Sequence, residues 1–175
     1  VYNANAGSGA LEATDFTLTF AQNSGSATGV SISSVKQNDN AAEGSASALA
    51  GGETVIRFFL TITGTPSGVE TITITPVDAT SIYDVAGNAM PSSQTTGAKT
   101  LNDKAGPTIS SVSLASNNSS IAVTFPEAVY NTNGGSGALE ASDFSFSISG
   151  GTATLSSATP TDISISGNVY TLDIG

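Results

Sequence analysis

One phrase occurs twice in this chain, and the distance between its two copies constrains the fold. The sequence "VYNANAGSGALEATDF" begins at Val1, and "VYNTNGGSGALEASDF" begins at Val129. Residues 1–20 and 129–148 are identical at 13 of 20 positions, with a constant offset of 128. A repeat with this period predicts structural units that each have the size of one ordinary domain.

Nearly every apolar stretch of the chain alternates with a period of two residues. The stretches "DFTLTF", "ETITITPV" and "SSIAVTF" each place apolar side chains on one face and small or polar ones on the other. This pattern is typical of half-buried antiparallel strands, so we expect an all-β fold. The predicted core consists of the inward-facing residues Phe16, Leu18, Phe20, Ile56, Phe58, Leu60, Ile72, Ile74, Ile121, Val123, Phe125, Phe144, Phe146, Ile148, Tyr170 and Leu172.

Splicing the two copies yields one complete unit of about seven strands. The second copy supplies the first two strands, at 107–116 and 119–125, and the first copy supplies the last two, at 69–77 and 94–102. Seven short strands separated by turn signals indicate an immunoglobulin-like β-sandwich, repeated as a tandem array. Strands three to five come from both copies, at 15–20, 29–35 and 54–60 in the first and at 143–149, 152–158 and 168–174 in the second.

This strand order divides the chain into two partial repeats. Residues 1–102 hold the C-terminal five strands of one repeat, residues 103–106 form a linker, and residues 107–175 hold the N-terminal five strands of the next. We therefore expect the chain to be a window on a longer array. A circular permutation, in which residues 108–125 fold back to complete the first repeat, is the less favoured alternative. The last strand of a sandwich ends at the pole opposite to the start of the first strand, and a linker of about six residues spans only ~20 Å.

Composition excludes several classes of function. The chain has no His and no Cys, which excludes Ser-His-Asp and Cys-His catalysis and metal or haem sites built on those residues. Its 14 acidic and 4 basic residues give a net charge of −10, which would repel nucleic acid and anionic lipid. No apolar run is long enough for membrane insertion. A glycosidase needs two carboxylates placed in a cleft, and its sugar is usually held on aromatic platforms. The sequence gives no sign of such a cleft and contains no Trp, so we do not expect an enzyme.

Two segments resemble a known class of repeat. They are "IAVTFPEAVYNTNGGSGALEASDFSFSISGG" at 121–151 and "SIYDVAGNAM" at 81–90. They resemble bacterial Ig-like repeats of giant cell-surface proteins, in which an early strand ends in "tFsE.Vy" and an "i.D.aGN" loop precedes the last strand. Similar repeats occur in surface-layer proteins and in very long adhesins, some linked to surface motility. Pro126 departs from the pattern, which more often has Ser there. The resemblance covers the whole chain as two partial copies and implies an extracellular stalk or adhesin.

Oxygen-bearing side chains predicted at one end of the sandwich form a candidate calcium site. The loop after strand two and the loop before strand seven lie at the same end in this topology, and calcium takes six to eight oxygen ligands. The alternative is that these side chains hold their own turns, since "DVAGN" is a good turn sequence. The candidate ligands are Glu127, Asn131, Glu140 and Asp143 in the second copy, Asn3, Glu12 and Asp15 in the first, and Asp78, Asp84 and Asn88 before strand seven.

Together these features predict a structural repeat of an extracellular bacterial protein, on the cell surface or secreted. It would act as the stalk or spacer of an adhesin or surface filament, with calcium as a stiffening ion. Its partners would be neighbouring repeats of the same polypeptide, and a surface or glycan target would be bound elsewhere in the protein. The alternative is a carbohydrate- or ligand-binding adhesion module, which predicts an exposed aromatic or polar patch in every unit. The Thr row of "TITIT" also occurs on ice-binding surfaces, but it is far more often a solvent-facing strand surface.

Overall fold

The computed structural model describes residues 1–175, the whole chain. The chain divides into two compact units, Val1–Ala105 and Gly106–Gly175. Nine strands form three antiparallel sheets, and helix is limited to two three-residue 3-10 turns. No helix has the length and apolar character needed to span a membrane. The predicted all-β class is confirmed, and the sheets are consistent with a β-sandwich.

The first unit contains five strands in two sheets. The three-stranded sheet has the order β1-β4-β5, and β2 pairs with β3 in a two-stranded sheet. The five strands are β1 (Phe16–Ala21), β2 (Gly29–Gln37), β3 (Ile56–Thr63), β4 (Thr71–Pro76) and β5 (Lys99–Thr100).

The two sheets of the first unit pack face to face. The rings of Phe16 on β1 and Phe58 on β3 meet edge to face, with 4.8 Å between their centroids. On β4, Ile72 and Ile74 are buried, while Thr71, Thr73 and Thr75 are half-buried. The alternation in "TITIT" therefore predicted the inward face of β4 correctly.

The second unit contains one four-stranded sheet with the order β6-β7-β9-β8. Its core includes Val123, Tyr170 and Leu172. A two-residue turn joins β8 to β9, and Gly167 provides the positive φ (58°) that this tight connection requires. The strands are β6 (Ser111–Leu114), β7 (Ser120–Thr124), β8 (Ile163–Ser166) and β9 (Val169–Asp173).

Several details of the second unit differ from the sequence prediction. The strands predicted at 143–149 and 152–158 do not form, and β8 is a strand that was not predicted. The unit thus has four strands rather than five. In the first unit the counterpart of 143–149 is β1, which hydrogen-bonds along β4; residues 106–175 contain no counterpart of β4, so the segment has no edge to join. For the same reason Ile148, a predicted core residue, is 49% exposed.

The strands at the boundary between the two units are also shorter than predicted. Only Lys99–Thr100 of the segment 94–102 and Ser111–Leu114 of the segment 107–116 form strands. Conversely, the long loops bury apolar residues that the alternation did not identify, namely Leu11, Ile82 and Val129. These loops are therefore part of the packed structure rather than excursions from it.

A buried carboxylate fixes the start of β4. Glu70 is fully buried and accepts hydrogen bonds from the Ala27 N–H (2.8 Å) and the Ser67 N–H (2.9 Å). The Ser67 hydroxyl donates a further bond of 3.3 Å. A Cβ at Gly25 would collide with the Glu70 carboxyl group. The carboxylate thus joins the turn before β2 to the turn before β4, and Gly25 leaves the space it occupies.

The hydrogen-bond donors around Glu70 keep its carboxyl group ionised. Burial alone raises the pKa of Glu70, but the N–H groups of Ala27, Glu70 and Ser67 favour the charged form and lower the pKa to about 2, against an ordinary 4.5. Because the pKa is lower in the folded state, ionisation of Glu70 stabilises the fold. This contribution is complete above about pH 4.5 and is lost as the pH falls towards about 2.

We therefore expect Glu70→Gln to lower the melting temperature of the first unit by several degrees at pH 7. The amide directs its NH₂ group at backbone donors that now lack a charged acceptor. The difference from the unsubstituted chain should shrink as the pH falls from 4.5 towards 2. Circular dichroism melts across this pH range measure both effects, and exchange of the Ala27 and Ser67 amides gives the local readout.

Glu127→Gln is the matched control, since it makes the same change at a half-buried residue of the second unit. It should leave exchange of the Ala27 and Ser67 amides unchanged. Equal destabilisation by the two substitutions, or a Glu70→Gln effect that does not depend on pH, would contradict the assignment.

Candidate functional site

Two of the loops that supply candidate ligands lie against each other in the first unit. Tyr2 and Tyr83 exchange backbone hydrogen bonds of 2.9 and 2.8 Å. Val85 lies beside Gly7, and a Cβ on Gly87 would collide with the Asn5 side chain. We call the segments 1–15 and 78–91 together the loop pole of the first unit.

The first segment of the loop pole is held by glycines and by Asn3. The Ala4 N–H donates to the Ser8 carbonyl (3.0 Å), and Gly7 and Gly9 have φ values of 71° and 79°. The Asn3 side chain occupies the place where a Cβ on Gly9 would stand. A side chain at Gly9 would therefore be disfavoured both by its backbone conformation and by this contact.

The same loop conformation recurs in the second copy of the phrase. Gly135 and Gly137 have φ values of 74° and 78°, and the Thr132 N–H donates to the Ser136 carbonyl (3.1 Å). Asn131 occupies the Cβ position of Gly137 just as Asn3 does at Gly9. The repeated phrase therefore specifies one backbone conformation, which it adopts in both units.

Both copies of the phrase end in a 3-10 turn with the same carboxylate contact. Asp15 accepts a hydrogen bond from the Glu12 N–H at 2.7 Å, and Asp143 accepts one from the Glu140 N–H at 2.8 Å. Each Asp N–H in turn donates to the carbonyl of the Glu. Each Asp carboxylate thus returns to the N–H of the residue that caps its 3-10 turn, as the third residue of a capping box does, and so orients the chain as it leaves the loop.

The carboxylates of the second segment also bind donors of their own turns. Asp78 accepts hydrogen bonds from the Ser81 hydroxyl (2.6 Å), the Thr80 N–H (2.7 Å) and the Thr80 hydroxyl (2.9 Å). Both oxygens of Asp84 bind Asn88, through its backbone N–H and its side-chain amide, each at 2.8 Å. These donors lower the pKa of both carboxyl groups, chiefly through Ser81 for Asp78 and through the Asn88 side chain for Asp84.

The structure thus places the ten candidate ligands in two groups. Asn3, Glu12, Asp15, Asp78, Asp84 and Asn88 lie in the first unit, and Glu127, Asn131, Glu140 and Asp143 lie in the second. Asp84 and Asn88 are in direct contact, and no group of three acidic side chains has the proximity needed to hold a metal ion. The bonds that Asp15, Asp78, Asp84 and Asp143 make are those expected on the turn interpretation. Calcium binding stays a prediction.

The aromatic residues do not form the same surface in the two units. Tyr2 is half-buried and lies against Gly51 and Gly52, whereas its counterpart Tyr130 is 51% exposed. A sugar-binding platform in every unit would require the ring to be available in both copies. No specific observation therefore favours the binding-module alternative.

Sequence reasoning missed Glu70, the buried carboxylate with the strongest set of donors. A signal was present, because a period of two in "ETITIT" places Glu70 on the same face as Ile72 and Ile74. An acid on a buried strand face needs partners. The Gly- and Ser-rich segments that precede β2 and β4 provide the backbone donors.

We expect Asp84→Asn to loosen the turn at 84–88 whether or not calcium is present. An amide at residue 84 cannot accept both bonds from Asn88, so the Asn88 and Gly87 amides should exchange faster. Asp84 ionises below its ordinary pKa, so the unsubstituted turn should loosen only in acid below about pH 3.8. Amide exchange and melts with calcium or EDTA measure these effects.

Asp103→Asn, which removes the same charge outside the loop pole, is the control. On the turn interpretation, calcium and EDTA give the same melting temperature for all three chains. A calcium-dependent rise that Asp84→Asn abolishes and Asp103→Asn retains would instead establish a metal site.

Comparison of the chain with protein-family models, with curated proteins and with solved structures finds no match. The resemblance to bacterial surface repeats therefore stays a prediction from the residues that carry it. The features that bear on function are the repeated loop, the strand order and the net charge of this chain.

Proposed function

We propose that this chain is part of a tandem array of immunoglobulin-like sandwiches that forms the stalk or spacer of an extracellular bacterial surface protein. The observation that carries the proposal is the recurrence of one loop conformation at a constant offset of 128 in the sequence. Identical positive-φ glycines, a matching bridge and matching 3-10 turns are expected of two copies of one structural unit.

The strand orders of the two units support this proposal when they are read as parts of one repeat. The first unit supplies strands three, six and seven in the order β1-β4-β5, and strands four and five as β2-β3. The second supplies strands one, two and five as β6, β7 and β9, and β8, although it lies later in the sequence than the predicted strand four, pairs with β9 as β2 pairs with β3, which gives the order β6-β7-β9-β8. Combined, these orders match those expected of a seven-strand immunoglobulin-like sandwich, with strands 1-2-5-4 in one sheet and 3-6-7 in the other.

The charge of the chain is suited to an extended array. A net charge of −10 on 175 residues makes successive units repel one another over a distance of about a Debye length. Such repulsion opposes collapse of an array onto itself and keeps its surface in solution. In this proposal the partners are neighbouring repeats, and the target of the adhesin lies elsewhere in the protein.

The role as a stalk predicts regular mechanical unfolding. A polyprotein of joined copies of residues 1–128 recreates the natural junction, because Ala128 precedes Val1 as it precedes Val129. Pulled by atomic force microscopy, it should unfold in equal steps of about 400 Å, the extended length of one repeat less its folded length. Ile74→Ala, expected to cost about 2–5 kcal/mol in each repeat, should lower the unfolding force, whereas Thr73→Ala should not.

Steps of irregular length, or steps whose length does not match the repeat period, would overturn the array. Equal forces for Ile74→Ala and Thr73→Ala would contradict the expectation that burial of Ile74 contributes to the mechanical strength of the repeat.

The surface location is tested on intact cells of the source organism. Antibodies against residues 1–105 should label unpermeabilised cells, and mild external protease should remove the label. An antibody against a cytoplasmic protein is the control for cell integrity. Labelling only after permeabilisation would contradict the proposed location.

A further inference from the structure

One edge of β3 has no strand partner. On its other edge β3 pairs with β2 from Gly29↔Thr63 to Gln37↔Ile56, and these two strands form the entire sheet. In the second unit β9 is hydrogen-bonded on both edges, to β8 and to β7. The two units therefore differ in whether this edge is covered.

β3 and β9 are corresponding strands of the repeat. The sequences "TVIRFFL" at 54–60 and "NVYTLDI" at 168–174 align, so that Ile56 and Phe58 correspond to Tyr170 and Leu172. Both pairs face inward, since Phe58 packs on Phe16 and both Tyr170 and Leu172 are buried. The sequence and register of β7, which pairs with β9, therefore predict those of a strand that would pair with the free edge of β3.

An apolar groove lies beside β3. It has a volume of about 320 Å³ and is lined by side chains from β1, β3, β4 and the loop pole, among them Ile56, Phe58, Ile74, Ile82 and Met90. Ile56 and Phe58 are only half-buried, whereas Tyr170 and Leu172 are 5% and 2% exposed. In the second unit β7 provides the cover, with Ile121 opposite Leu172 and Val123 opposite Tyr170.

The hairpin that contains β7 carries uncovered apolar surface of its own. Val112 and Leu114 on β6 lie opposite Val123 and Ile121 and so face the same side of the sheet. They are 57% and 53% exposed. A hairpin of this sequence therefore offers a strand for the free edge of β3 and an apolar face for the groove beside it.

We propose that the free edge of β3 and the adjoining groove are the docking site for a β-hairpin with the sequence character of residues 107–128, contributed by another copy of that segment in the tandem array. The register of β7 on β9 places Ile121 of such a hairpin opposite Phe58 and Val123 opposite Ile56. The inference rests on the proposed tandem array. It specifies that two further strands complete the first unit, through backbone pairing along β3 and through burial of apolar side chains in the groove.

The test adds the hairpin to the full chain. A copy of residues 107–128 is placed before Val1, and hydrogen exchange is measured over Ile56–Leu60. The amides that do not bond to β2 should gain at least about tenfold protection, and the melting temperature of the first unit should rise. Free peptide 107–128, added to the unextended chain, should protect the same amides saturably.

The control is the same extension with Ile121→Asp and Val123→Asp in the added copy alone, which places charge in the groove and should abolish the protection. No protection from either the extension or the peptide, or equal protection from the Asp-bearing extension, overturns the docking site. Regular force steps in the polyprotein without this protection would overturn the docking site and leave the array, whereas irregular steps would overturn the array itself.

Discussion

The demand that every strand edge find hydrogen-bond partners governs which parts of this chain become sheet. β1 and the segment 143–149 have nearly the same alternating sequence, but only β1 lies beside a partner, β4, and only β1 is a strand. β9 is bonded on both edges and has a buried inner face, whereas β3 is bonded on one edge and its inner face is half-buried. An alternating sequence gives a segment one apolar face that can be buried. The segment forms a strand only where a neighbouring strand can satisfy its backbone hydrogen bonds.

That distinction explains how much of the structure was predictable from sequence. The all-β class and the inward faces of β4, β7 and β9 follow from a period of two, because that pattern is local. The position of Ile148 and the additional strand β8 depend on which strands are available as partners, which local alternation does not encode. Glu70 was identifiable in principle from its position on the buried face of "ETITIT". Its donors were not, because Ala27 lies in a turn far from Glu70 in the sequence and only Ser67 is nearby.

The candidate ligands illustrate the same limit. A sequence predicts that oxygen-rich loops converge, and Tyr2 and Tyr83 do join two of them. It does not predict how each oxygen is occupied, because that depends on local turn geometry. Asp15 and Asp143 bind the backbone of the Glu that precedes each 3-10 turn, and Asp84 binds Asn88. The repeated phrase thus encodes a loop, in which glycines permit the turn and carboxylates close it.

The way the charged form of Glu70 is stabilised has a consequence for how its contribution responds to salt. Its charge is balanced by backbone N–H groups and a hydroxyl instead of by Lys or Arg. Dissolved ions weaken exposed ion pairs, but they reach a fully buried carboxylate and its fixed dipoles far less. The contribution of Glu70 to the free energy of unfolding should therefore change little with ionic strength.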